Sequence, residues 1–258
     1  MKIWIQSGTP LGRSQLYKPY SDSLIRHAQR ASRPGTVVDF PPLGRDYPGA
    51  GRSRTHLHFV QHETIKGALR AQTEGYDAFI TNCLDLGFYE LREMVDIPVI
   101  FMTQATLAFY SQLTPNFAFL VNSERLLHYF KDIAIRYQVN ERMLPGSFVS
   151  FAFTDYAKLW SSPQPFIDQF TQVAKSLAAS GATAFCPAGL YLSQWLIDQG
   201  IRTIDGSLIM DPLAVSIKTA EVMVELKQLG IEPYQAGSWT RLAPDVRELL
   251  AHEFNLYK

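Results

Sequence analysis

Short apolar runs alternate with longer stretches of helical spacing along nearly the whole chain. Residues 2–5 form an apolar run that ends in the turn Gln6-Ser7-Gly8-Thr9-Pro10. Residues 14–30 have helical spacing, and Pro34-Gly35 breaks the chain before a strand over 36–40. A Pro-, Gly- and Arg-rich stretch over 41–54 reads as a surface loop. A helix is expected over 55–73, a strand over 78–81, and a further helix running to about Glu93. Residues 97–101 and 117–121 read as strands, with a helix over 103–112 between them. Ser123-Glu124 caps a helix that runs toward Tyr137. Residues 163–179 are helical, 183–186 a strand and 190–197 a short helix. Asp211-Pro212 opens a last strong helix, with proline at its first helical position and apolar spacing up to Gly230.

Strands separated by helices predict parallel βαβ units with right-handed crossovers. Ligands in such folds gather at the carboxyl ends of the strands. The polar turns over 6–11, 82–87, 103–104, 122–123 and 187–190 are therefore the places to look for chemistry.

One segment repeats. Gly75-Tyr76-Asp77-Ala78-Phe79 and Gly181-Ala182-Thr183-Ala184-Phe185 share the pattern Gly-x-x-Ala-Phe, each followed by a polar turn and a helix. In that register Cys83 falls opposite Gly189, and Cys186 comes three residues early, inside the expected strand. The repeat is read as a duplicated half-site with a thiol on one side and a glycine on the other.

Composition narrows the classes. The 24 basic and 24 acidic residues balance, which leaves no electrostatic footprint for nucleic acid or an acidic membrane surface. No apolar run approaches the ~20 residues of a membrane span. The N-terminus enters a strand-like run with no signal-peptide pattern, so a reducing cytoplasm is the expected location, and it disfavours a Cys83–Cys186 disulfide. His56, His58 and His62 have part of a metal-ligand spacing, but nothing obvious completes the set. They are read as an exposed helix start, with no metal. Gly49-x-Gly51 lacks the strand–helix context of a nucleotide loop. The arginines of the 45–54 loop are open to two readings: a closure over an anionic substrate, or a solvated surface or subunit contact. Tyr110, Tyr191 and Trp195 are read as core.

The ordered series of motifs resembles the aspartate/glutamate/hydantoin racemase superfamily. The stretches that carry the resemblance begin with Ser32-Arg33-Pro34-Gly35-Thr36-Val37-Val38, Glu74-Gly75-Tyr76-Asp77-Ala78 and Asn82-Cys83-Leu84-Asp85-Leu86-Gly87. They continue through Val95-Asp96-Ile97-Pro98-Val99, Gly181-Ala182, Ile204-Asp205-Gly206, Asp211-Pro212-Leu213-Ala214-Val215 and Lys218-Thr219-Ala220-Glu221. The resemblance implies an α/β fold of two pseudo-symmetric flavodoxin-like lobes with parallel sheets and an active site in the cleft between them. Residues 1–96 plus 212–258 would form the first lobe, and 97–211 the second. It also implies an enzyme that needs no cofactor and acts on a small carboxylate or hydantoin-like substrate. In two-base members each lobe supplies a cysteine, one removing a proton from the carbon next to the carboxylate and the other returning one to the opposite face. Oligomeric state stays open, a homo-oligomer included.

A carbon acid of this kind needs a base touching the carbon and donors aimed at the developing oxyanion. Cys83 is the expected catalytic residue and Cys186 the weaker second candidate. The ordinary thiol pKa, about 8.5, is too high for a thiolate at neutral pH, so the N-terminus of the helix expected over 88–93 is required to lower it. Asp85 opposes that effect unless it caps the helix and points away. Candidate substrate-binding groups are Ser7, Thr9, Asn82, Leu84, Asn122, Ser123, Ala188, Gly189 and Leu190. The absence of a second cysteine at Gly189 departs from the two-base pattern. It keeps open a one-cysteine decarboxylase, a cysteine-nucleophile isomerase, and, from another class, a non-catalytic small-anion-binding protein.

Overall fold

The computed structural model describes residues 1–8, 11, 15–44, 53–121, 124–150, 156–187, 189–234, 236–237 and 240–256. In chain order the elements begin β1 (Lys2–Gln6), α1 (Lys18–Ala31), β2 (Val37–Asp39), α2 (Arg54–Thr73), β3 (Ala78–Thr81), α3 (Glu90–Met94) and β4 (Val99–Phe101). Then come α4 (Met102–Tyr110), β5 (Phe117–Val121), α5 (Glu124–Arg136), β6 (Met143–Ser150), α6 (Tyr156–Ser161), α7 (Gln164–Ala179), β7 (Ala184–Pro187) and α8 (Leu190–Asp198). The chain closes with β8 (Thr203–Ile204), β9 (Ser207–Ile209), α9 (Pro212–Gln228) and α10 (Pro244–Glu253).

Two compact units account for the chain: Met1–Arg13 with Ala28–Met102 and Ser216–Lys258, and Ser14–His27 with Thr103–Val215. The first holds a four-stranded parallel sheet in the order β2-β1-β3-β4. β3 and β4 are buried at every residue, which is why they read as unbroken apolar runs rather than as alternation. Ile3, Trp4, Ile5, Phe79, Ile80, Leu91 and Phe101 form the centre of its core.

The second unit holds a five-stranded sheet in the order β6-β5-β7-β9-β8. Four strands are parallel and repeat the order of the first sheet. The sheets are parallel as expected, with one addition at the edge, where β8 pairs antiparallel with β9. The physical reason is the two-residue turn Asp205-Gly206, with φ of 48° and 81°, the left-handed pair that tight hairpins need. Leu120, Leu159, Phe170, Phe185, Trp195 and Leu196 dominate the core of this unit.

The sequence repeat has a structural cause. Gly75 and Gly181 each end a helix in a left-handed conformation, with φ of 75° and 97°. Beyond each, an N–H reaches back five residues, Tyr76 to Ala71 O at 2.9 Å and Ala182 to Leu177 O at 3.0 Å. This helix stop turns the chain into β3 in one unit and β7 in the other. Cys83 lies two residues beyond the end of β3, and Gly189 two residues beyond the end of β7.

Two family stretches far apart in sequence are also joined. Glu221 on α9 accepts the Arg33 N–H at 2.7 Å, and Lys218 Nζ lies 2.9 Å from its other oxygen. Burial pushes the Glu221 carboxyl up, but the Arg33 N–H, Lys218 and the Thr36 hydroxyl outweigh burial and hold it below its ordinary value of 4.5. Asp211 caps α9 by accepting the Ala214 N–H at 3.1 Å, and its carboxylate meets His27 and Arg202. These motifs build the fold.

Candidate functional site

In the first unit the ends of β1 and β3 converge. Their pairing runs from Ile3 opposite Ala78 to Gln6 opposite Thr81, and Asn82 N–H extends it by donating to Gln6 O at 3.2 Å. The Gly8 N–H donates to Asn82 Oδ1 at 3.3 Å. Asn82, expected to bind substrate, therefore clips the two strand ends together.

Cys83 sits against Gly8. A Cβ added to Gly8 would fall 2.5 Å from Cys83 Sγ and 2.9 Å from its Cβ, with Val60 Cγ1 at 3.8 Å. Gly8 does not use a left-handed φ, so this glycine answers a close approach and not a backbone need. Ser7 next to it is buried. Gln6 braces the same strand end from below. Its Oε1 accepts the Trp4 indole N–H at 3.1 Å, and its Nε2 donates to Ser7 O at 3.4 Å and Pro41 O at 3.3 Å. Gly67 of α2 leaves room for that side chain, because a Cβ there would collide with Gln6 Oε1.

The turn after the thiol differs from the expectation. α3 begins at Glu90, seven residues beyond Cys83, and spans five residues. Six residues of the chain therefore stand between the thiol and the helix. The intervening chain instead makes a tight turn closed by Leu86 N–H to Cys83 O at 3.0 Å. Both central residues, Leu84 and Asp85, are left-handed, with φ of 49° and 47°. Leucine adopts that conformation at a cost of about 1–2 kcal/mol. Asp85 is buried. Burial pushes the Cys83 thiol up to about 12, and the Asp85 charge adds to the rise. The expected lowering by a helix is thus reversed: Cys83 rests as a protonated thiol, although part of the residue stays accessible. Thr81, the last residue of β3, buries a hydroxyl that has no hydrogen-bond partner among the described residues.

In the second unit Cys186 is buried within β7, opposite Phe119 of β5. Gly189 begins α8 with φ 107° and ψ 117°. That conformation is closed to L-residues, and a Cβ there would also lie 2.8 Å from Tyr191 Cε1. The glycine opposite Cys83 in the repeat is therefore fixed by backbone and by packing. Leu190 is buried at the start of the helix. Trp195 lies fully in the core, and Tyr110 is buried, its hydroxyl accepting the Asp211 N–H at 3.0 Å.

Thr9, Asn122, Ser123, Ala188 and the arginine loop over 45–52 lie outside the described residues. His56 is engaged with Ser53 at the start of α2, and no metal-binding group of His, Cys, Asp or Glu occurs among the described residues. Glu63 is buried beside Gly44. No described helix is long and apolar enough to cross a membrane. The role of Gly8 as a seat for the thiol was hidden in sequence, because its turn gives no sign of which side chain arrives beside it. The brace at Gln6 depends on the same unseen approach.

No family model matches the chain. A hydantoin racemase from Pseudomonas sp. (strain NS671) is 21% identical over 185 residues, spanning 69% of this chain and 72% of that protein. Among solved structures, an allantoin racemase from Klebsiella pneumoniae matches with a TM-score of 0.74 at 15% identity, over 96% of this chain and 98% of that one. A variant of arylmalonate decarboxylase matches with a TM-score of 0.56 at 14% identity, over 87% and 94%. These similarities define a two-lobed α/β fold with mainly parallel sheets. That fold and the curated relative agree with the aspartate/glutamate/hydantoin racemase superfamily to which the sequence motifs pointed.

Proposed function

We propose that this chain is a cofactor-independent enzyme of the racemase/isomerase type, acting at the carbon next to a carboxylate or a hydantoin-type carbonyl. Cys83 is the group that exchanges a proton with that carbon. The observation that carries the reading is the seat of the thiol: β1 and β3 end together, and Gly8 gives up its side chain to admit Cys83. The hydantoin racemase relative and the allantoin racemase structure support the substrate class.

The chemistry follows from that seat. A proton leaves a carbon acid only if the developing enediolate is stabilised by nearby donors. Strand-end N–H groups are such donors, and a small thiol at a strand end reaches the carbon without filling the site. In a racemisation the thiolate form of Cys83 first takes the α-proton, the C–H bond breaking as the S–H bond forms, and the thiol returns it to the carbanion. In a decarboxylation the carbanion is left by the departing carbon dioxide, and protonated Cys83 delivers its proton to it: the S–H bond breaks, a C–H bond forms, and a thiolate remains.

A second reading has its own observation. Gly189 cannot accept a cysteine side chain without a change of backbone and movement of Tyr191. A one-thiol enzyme that protonates a single face, as in a decarboxylation, fits that constraint. Optical rotation of single-enantiomer 5-substituted hydantoins, allantoin and α-substituted acids separates the readings. Decay to zero rotation supports racemisation, and release of carbon dioxide from α-substituted malonates supports decarboxylation. Binding of these compounds with no turnover of any of them contradicts both and leaves an anion-binding protein.

A further inference from the structure

We infer that Asn82 is a substrate-binding residue of the Cys83 site: its side-chain NH2 donates to the carbonyl or carboxylate oxygen attached to the carbon that Cys83 serves. This rests on the reading of Cys83 as the proton-exchanging group and adds the donor for the developing enediolate. Three observations carry it. The Gly8 N–H donates to Asn82 Oδ1 at 3.3 Å. A backbone N–H faces the oxygen of a carboxamide and not its nitrogen, so this bond assigns the two ends of the side chain and leaves the NH2 unspent. Among the described residues Nδ2 has no partner, and Asn82 is only half-buried. The Asn82 N–H in turn donates to Gln6 O at 3.2 Å, so the residue is held by backbone and by side chain. A donor fixed before substrate arrives is the effective kind at a developing oxyanion. Finally, the amide and the thiol share a neighbour. Cys83 Sγ lies 2.5 Å from where a Gly8 Cβ would stand, hence within about 4 Å of Gly8 Cα, and Asn82 Oδ1 holds the N–H of that same residue.

One small molecule can meet both groups. Traced through Gly8, Asn82 Oδ1 lies within about 9 Å of Sγ. A carbon touching the thiol at about 3.5 Å carries its carbonyl oxygen up to about 6 Å from Sγ, and a hydrogen bond adds about 2.9 Å. The amide is neutral, so it serves the carbonyl of a hydantoin ring as well as a carboxylate. A clip between strand ends needs only an acceptor, which an aspartate supplies more strongly. The NH2 is what asparagine adds.

Two variants test the donor. Asn82→Asp keeps an acceptor for the Gly8 N–H and removes the NH2; Asn82→Ala removes both and adds no charge. Both should slow α-proton exchange by about 100–1,000-fold, while only Asn82→Ala should unfold at lower urea. Alkylation of Cys83 by iodoacetamide, compared in a Cys186→Ala background, should run at the parent rate in Asn82→Ala, because the thiol keeps its seat. Parent-rate exchange in Asn82→Asp overturns the inference, since a clip would then suffice. If Asn82→Asp does not fold, Asn82→Ala decides: parent-rate exchange, or slow exchange together with an altered alkylation rate, overturns it. The underlying reading fails separately. A parent protein that exchanges no α-proton with any carboxylate or hydantoin sinks the role of Cys83, while calorimetric titration of a 5-substituted hydantoin into Cys83→Ser still tests Asn82. There a further Asn82→Ala should weaken binding roughly tenfold. Equal affinity, or no binding by either protein, overturns the donor.

Discussion

The contact between Gly8 and Cys83 gives a quantitative prediction. In Gly8→Ala the new methyl would lie 2.5 Å from Sγ and 2.9 Å from Cβ of Cys83, both inside any real carbon contact. The methyl cannot move aside, because Gly8 is tied through its N–H to Asn82 and its strand to β3. Overpacking of this kind costs about 1–3 kcal/mol. Because Gly8 lies outside the left-handed region, alanine also stiffens the unfolded chain, which offsets about 0.4–1 kcal/mol. The net expectation is a loss of between about zero and about 2.6 kcal/mol, read by urea unfolding. A second substitution identifies the cause. Cys83→Gly removes both colliding atoms, so Gly8→Ala should cost nothing in that background. Cys83→Ala keeps the 2.9 Å neighbour and should relieve the strain only in part. A coupling energy of about 1 kcal/mol or more between the positions is expected for residues in contact. A coupling energy near zero between Gly8→Ala and Cys83→Gly, with an equally reactive thiol in Gly8→Ala, would refute the seat.

Other outcomes follow from the same contacts. Because burial raises the folded Cys83 thiol to about 12, its contribution to stability is full below the ordinary thiol range and lost as pH rises toward 12, so alkylation of the folded protein should keep accelerating to pH 10 without a plateau. Glu221→Gln leaves the Arg33 N–H and Lys218 with a weaker acceptor and should cost about 1.5–3 kcal/mol in denaturant unfolding. Since the Glu221 carboxyl is held below 4.5, its contribution should be present above that pH and vanish as pH falls through the folded value, and the Gln variant should show a flatter acid limb. Gly189→Ala forces an alanine to φ 107° against Tyr191 and should lower the melting temperature, a loss of about 1–3 kcal/mol from backbone strain alone.

Most of the layered architecture was legible because strands buried on both faces, such as β3 and β5, leave unbroken apolar runs between helices of clear period. Three kinds of element were not. β6 begins Met143-Leu144-Pro145-Gly146, a composition that reads as loop, and it is a strand because β5 offers it a partner edge. β8 and β9 are two and three residues long, too short for any period to show. α10 is held by long-range contacts, with Leu242 N–H on Glu93 O at 3.1 Å and Arg247 3.0 Å from Asp96. The site divides in the same way. The register that set Cys83 against Gly189 could be read from Gly75 and Gly181, because a helix stop leaves a glycine in the sequence. The protonation state of Cys83 could not, since it depends first on how deeply the folded chain buries the thiol and then on the Asp85 charge. Glu221 and Asp211 stand in conspicuous motifs, yet their partners lie in distant segments, and only the folded chain shows that they brace backbone.

The central claim is that Cys83 handles the substrate proton, and deuterium exchange tests it most directly. Single enantiomers of a 5-substituted hydantoin, allantoin and an α-substituted carboxylic acid are incubated in deuterium oxide with the parent protein, Cys83→Ser and Cys186→Ala, and the α-proton signal is followed by NMR. The account predicts loss of that signal with the parent and with Cys186→Ala, and its retention with Cys83→Ser. Exchange that survives in Cys83→Ser, or that disappears instead in a folded Cys186→Ala, would contradict it.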